Sequence, residues 1–159
     1  MIIKDIIDND FVNYKKTSMF IAFPFCTFKC DKLNGCKVCQ NAHLAHEPNV
    51  EISIPKLCER YVGNNLTEAV VAGGMEPFDS WDDLFMFIWT LRRGWNCTDE
   101  VVIYTGYTKP EVADKIQVLS QFPNIIVKFG PFLLNRLSRY DEVLGVTLAS
   151  DNQYAEKIS

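Results

Sequence analysis

What the chain lacks narrows its partners before any motif is considered. Basic residues are in the minority, 16 Lys and Arg against 20 Asp and Glu, for a net charge of -4. With no cationic excess to displace counterions from a phosphate backbone, the composition argues against nucleic acid and against an anionic membrane surface as partners. No apolar run approaches the length of a membrane span, and the leading MIIKDIIDND breaks its apolar residues with acids, unlike a signal-peptide core. The expected compartment is the cytoplasm. Histidine is scarce. His43 and His46 are the only two, and both follow Cys39 too closely for a zinc finger of two cysteines and two histidines, which needs about 12 residues between its pairs. Repeats, linkers and low-complexity stretches are also missing, so residues 1–159 are expected to form a single domain.

What is present alternates between strand and helix signals. Residues 1–17 are mixed and compatible with a short strand or arm. SMFIAFPF, from Ser18 to Phe25, has the aromatic and apolar density of a buried strand. Ser53 is placed to cap a helix through about Val62, with Pro55 in its first turn and Gly63 at its end. Thr67 to Ala72 is expected to be a second strand running into Gly73 and Gly74. Ser80 and Asp83 approach a capping box ahead of the apolar LFMFIWTL, a largely buried helix or one with an apolar face left for a partner. EVVIY, from Glu100, gives a third strand. Thr108 and Glu111 have full capping-box spacing for a helix to about Leu119, with Val112, Ile116 and Leu119 on one face. Asn124 to Phe129 gives a fourth strand and Glu142 to Ala149 a fifth. This order predicts an α/β domain with a mainly parallel sheet, whose function gathers at the C-terminal strand ends. Three distinctive stretches fall at such ends: the cysteine loop CTFKCDKLNGCKVCQN from Cys26 to Asn41, GGMEPF from Gly73, and YTGY from Tyr104.

Four of the six cysteines crowd into that first loop, at positions 26, 30, 36 and 39. In a reducing compartment such crowding points to metal or redox chemistry rather than disulfides. Cys58, on the apolar side of a helical pattern, and Cys97, in a loop after Trp95, fit packed or incidental thiols. On spacing alone, a structural zinc held by Cys26, Cys30, Cys36 and Cys39 fits as well as an iron–sulfur cluster does. A thioredoxin-like role for CKVC would leave the two upstream cysteines without a use.

The combination is more specific than its parts. CTFKC followed by CQN after a first strand, with GGMEPF after a second, resembles the radical S-adenosylmethionine (SAM) superfamily, with its CxxxCxxC loop and GGEP-like motif. Two registers satisfy it: Cys26, Cys30 and Cys39, with eight residues rather than two before the last, which CTFKC and CQN favour, or Cys26, Cys36 and Cys39, with the insertion after the first cysteine. VVIYTGYT, the later Gly130-Pro131-Phe132, and Asn152-Gln153 near the end are similar to segments of the proteins that activate anaerobic ribonucleoside-triphosphate reductase. Where those proteins usually carry an NGPGxR-like segment, this chain keeps only Asn13.

The resemblance implies an open partial (βα) barrel of the radical SAM type holding a [4Fe-4S] cluster. Three thiolates leave one iron free to chelate the amino and carboxylate groups of SAM, whose reductive cleavage yields a 5'-deoxyadenosyl radical. It further implies that Gly73, Gly74 and Glu76 face the methionine end of SAM and Thr105 its ribose. Val38, at a position where an aromatic often packs near the adenine, and Asn41, at the loop's end, complete the cofactor-binding set. The implied partners are a glycyl-radical enzyme, foremost the large subunit of anaerobic ribonucleotide reductase, and a reduced flavodoxin- or ferredoxin-like electron donor. No general acid or base is required. A small-molecule radical SAM enzyme of the deazaguanine-synthase kind and a zinc-stabilised binding module remain the alternatives.

Overall fold

The computed structural model describes the whole chain, Met1 to Ser159. The first 17 residues hold two strands, β1 (Ile2–Ile3) and β2 (Asp5–Asp10), followed by β3 (Ser18–Phe23). The cysteine loop contains a short helix, α1 (Lys29–Asn34), and leads through a 3-10 turn at Ala42–His46 to β4 (Val50–Glu51), which pairs with β1. Next come α2 (Ile54–Val62), β5 (Ala69–Gly74), α3 (Trp81–Trp89), β6 (Glu100–Tyr104), α4 (Ala113–Leu119) and β7 (Ile125–Phe129). The chain closes with a hairpin of β8 (Arg139–Asp141) and β9 (Val146–Leu148), then β10 (Tyr154–Lys157).

Six strands form one mixed sheet in the order β10-β7-β6-β5-β3-β2. The central four, β3, β5, β6 and β7, are parallel neighbours in chain order, and the edge strands β2 and β10 run antiparallel. The sheet is open. No helix is long and apolar enough to cross a membrane.

Alternation along the strands explains how one sheet serves two purposes. Met19, Ile21 and Phe23, Val70 and Ala72, Val101 and Ile103, and Ile125, Val127 and Phe129 all enter one buried cluster. Helices α2, α3 and α4 supply the rest of it, through Leu57, Cys58 and Tyr61, Leu84, Phe87 and Ile88, and Ile116 and Leu119. The intervening residues face the other way. Near the N-terminal ends Val71, Val102 and Ile126 pack with Tyr14, Leu144 and Leu148. Toward the C-terminal ends the same face carries Ala22, Gly73, Tyr104 and Lys128, which line a cavity.

Several local expectations change in detail. Ser53 stands at the N-cap of α2, but its side chain makes no capping bond, and Gly63 ends the helix with an ordinary φ of -74°. The box at Ser80 is not formed: its hydroxyl is buried without a partner, and Asp83 accepts instead from the Ile2 amide. At Thr108, by contrast, the Glu111 carboxylate accepts from both the amide and the hydroxyl, opening a 3-10 turn that continues into α4. The expected fifth strand shrinks to β9, which pairs with β8 and lies outside the main sheet. A turn at Leu144 and Gly145 takes the preceding residues, its amides bonded to the Asp141 carboxylate and carbonyl. The sheet's last strand is β10, built from the polar YAEK, whose strand character comes from pairing with β7 rather than from propensity.

In α3, Phe87 is fully buried whereas Trp89, also aromatic, is 44% exposed. Phe87→Ala is expected to cost about 3–5 kcal/mol in urea unfolding, through lost burial and the cavity left behind. Trp89→Ala should cost about 1 kcal/mol or less. Equal losses would place α3 in the wrong rotation about its axis.

Candidate functional site

The loops after β3, β5, β6 and β7 meet on one cavity of about 590 Å³. Cys26, Cys30, Cys39 and Asn41 line it from the first loop, Gly73, Gly74 and Glu76 from the second, Thr105 to Tyr107 from the third, and Gly130 and Phe132 from the fourth. Two of the expected residues are not brought in. Val38 is half-buried outside the lining, and Cys36, which the zinc alternative needs, is exposed with its thiol toward the Asn34 carbonyl.

The loops are cross-tied. The Glu76 amide donates to the Phe25 carbonyl at 2.7 Å, and the Asn41 side chain donates to the Gly74 carbonyl at 2.7 Å. Asp79, just past GGMEP, accepts the Thr27 amide at 2.8 Å and the Tyr107 hydroxyl at 2.7 Å. Lys29 lies 4.9 Å from the centre of the Tyr107 ring and pairs with Glu111. These anchors of the cysteine loop therefore depend on residues some 30 to 80 positions later in the chain, and Asn34 reaches further still, to the Phe132 carbonyl at 2.9 Å and the Leu134 amide at 2.8 Å.

Both glycines of GGMEPF have a steric reason. A Cβ on Gly73 would stand 3.0 Å from the Phe20 ring, and one on Gly74 would stand 2.9 Å from Ala22 at a φ of +78°. Glu76 is 5% exposed and spends its two oxygens on backbone: one accepts the Phe78 amide at 3.1 Å, the other the Gly106 amide at 2.8 Å. It thus caps the short turn at Pro77–Ser80 and fastens the end of β5 to the end of β6. Thr105 is buried and accepts the Tyr107 amide.

The eight-residue spacer between Cys30 and Cys39 is closed at its base by Asp31, a residue whose part is not evident from the cysteine pattern. One of its oxygens accepts the amides of both Val38 and Cys39, each at 2.8 Å. Cys39 is thereby pinned beside α1, and the segment between projects outward through exposed Gly35, Cys36 and Lys37. Such a carboxylate signals itself only as an Asp adjoining a cysteine in a loop rich in free amides.

The donor set bears differently on zinc and on an iron–sulfur cluster. No three of the chain's His, Cys, Asp and Glu side chains converge closely enough to hold one metal ion. A tetrahedral zinc, with bonds of about 2.3 Å, would need such convergence. A cluster spreads its thiolates over a larger body, and here Cys26, Cys30 and Cys39 line one cavity. Two of them already accept amides, Cys26 from Phe28 and Cys30 from Phe132, both at 3.2 Å. Amide bonds to cluster sulfurs are a normal means of tuning such sites, so the donor set fits a cluster in kind. Burial pushes the Cys26 thiol up to about 11 and raises Cys39, so metal binding would have to displace both protons.

One further residue enters the cavity unannounced. Lys128, in β7, is 7% exposed, and burial lowers its ammonium to about 8 despite the nearby Cys30 and Glu76. The signal available in sequence was a lysine inside the apolar strand NIIVKF. No family model, curated protein or solved structure matches the chain.

The metal-free protein opens its buried acid and its thiols to direct measurement. Burial pushes the Glu76 carboxyl from 4.5 up to about 7, against the pull of the Gly106 amide. Its proton is therefore held more tightly folded than unfolded. The resulting stabilisation is full below pH 4.5, falls as pH rises toward 7 and is then constant, a change on the order of 3 kcal/mol. Urea unfolding of wild type and Glu76→Gln should show their stability difference changing across that window, and a pH-independent difference would contradict it. For the thiols, limited alkylation read by mass spectrometry should label Cys36 at least about tenfold faster than Cys26 or buried Cys58. Comparable rates would mean that the loop is open.

Proposed function

We propose that the chain is a small radical SAM protein, with Cys26, Cys30 and Cys39 holding a [4Fe-4S] cluster and SAM lying along the strand ends toward Gly73, Gly74 and Glu76. The observation that carries this reading is the meeting of three thiols and the GGMEPF turn on one cavity, with Cys36 left outside it. A zinc module has no use for that turn. When bound and reduced, the cluster supplies the electron that breaks a carbon–sulfur bond of SAM.

The chain's own residues do the positioning in this reading. Asp31 holds Cys39 in place, Asn41 and the Glu76 amide fasten the cluster loop to the SAM side, and Thr105 stands at the ribose. The open sheet is then the partial barrel of the superfamily. Its partner is a glycyl-radical enzyme, foremost anaerobic ribonucleotide reductase, with a reduced flavodoxin- or ferredoxin-like donor. The enclosed lysine in the cavity floor favours a second reading, a radical SAM enzyme acting on a small molecule.

Anaerobic reconstitution with iron and sulfide, followed by reduction with SAM, is expected to give a brown protein that forms 5'-deoxyadenosine. Cys30→Ala should lower that yield by more than about 100-fold, while Cys36→Ala retains most of it. A colourless protein with one zinc and no SAM cleavage would overturn the reading. Loss of cleavage on changing Cys36 but not Cys30 would overturn the ligand assignment.

A further inference from the structure

Lys128 is a buried cation that the cluster reading does not employ. Lysines are almost never buried so deeply unless paired, because an ammonium removed from water without a counter-charge is costly. The ion pairs of the structure involve Lys16, Lys29, Arg60, Lys109 and Arg136. Lys128 has none. Its Nζ donates to the Gly130 carbonyl at 2.9 Å, which leaves two of its three donors unspent.

The groups around it are already committed. Tyr104, its register partner on β6, presents the ring face with its centre 5.9 Å from Nζ, while the hydroxyl donates to the Asn13 carbonyl at 2.5 Å. Glu76 is held by the Phe78 and Gly106 amides, and the Cys30 thiol accepts from Phe132. Strand alternation puts Lys128 on the sheet face away from the helices, in a cavity whose volume suits a small molecule. A cation with spare donors at the floor of such a cavity is a recognition group awaiting its counter-charge.

We propose that Lys128 anchors an oxyanion-binding site, taking the carboxylate or phosphate group of a small molecule that enters the cavity. The site stands on the cavity and its lysine alone, without iron or SAM, so a failed reconstitution would leave it standing and its own failure would leave the cluster reading untouched.

The test uses the full, metal-free chain labelled with 13C at the lysine ε carbons. Sodium phosphate and sodium succinate are titrated separately against sodium chloride at matched ionic strength. One lysine signal, absent from Lys128→Met, is expected to shift saturably in the low-millimolar range with at least one of the two anions and not with chloride. A response to phosphate alone identifies a phosphate-bearing ligand, and one to succinate alone a carboxylate. Should Lys128→Met fail to fold, Lys128→Arg supplies the assignment. The proposal is overturned if no lysine signal saturates in protein that circular dichroism shows to be folded, or if the saturating signal persists in the variant.

Discussion

Strict two-residue alternation in four parallel strands is the constraint from which the rest of this molecule follows. Because successive side chains leave a strand on opposite faces, Val70 and Ala72 cannot enter the helical core without sending Val71 and Gly73 to the other side. All three connecting helices lie on the first face, so the second is left free near the C-terminal strand ends. The cavity is thus a product of sheet geometry and connection direction. Its chemistry is then set by a few residues whose side chains happen to fall on that face or in the loops above it.

Those loops would be independent and mobile were it not for buried or half-buried acids. Glu76 joins the turn after β5 to the loop after β6, Asp79 joins the loops after β3 and β6, and Asp31 folds the cysteine loop back on itself. In each case a carboxylate gathers amides or a phenol that would otherwise be left unpaired. The chain's acidic residues are thus used here as internal fastening.

Much of this was legible in the residues. The parallel strands, α2, α4 and the burial of Val112, Ile116 and Leu119 follow from periodicity and capping, and the three strand-end motifs were placed on one edge by topology alone. Of the partial barrel that the resemblance implies, the structure has an open, mainly parallel sheet, and the antiparallel edges of that sheet have no signal in the residues. Residues 154–157 became a strand because β7 offered an unpaired edge, and no propensity announces that. Ser80 illustrates the opposite failure, a capping pattern with no cap, because Glu76 already organises the turn before it. Lys128 and Asp31 carry only faint signals for a related reason: their importance lies in which face or which amide they meet, and that is decided by tertiary structure.

The clamp at Asp31 separates two lengths that cysteine motifs ordinarily equate, the count of residues between ligands and the distance between them. With the amides of Val38 and Cys39 held beside α1, and Asn34 at the end of that helix bonded to Phe132 and Leu134, the excursion through Gly35, Cys36 and Lys37 becomes an appendix whose size leaves the spacing of the thiols unaffected. A search of sequences by fixed spacing would pass over such a loop. A pattern that asks for an acid directly after the second cysteine, and allows any excursion beyond it, would find its like.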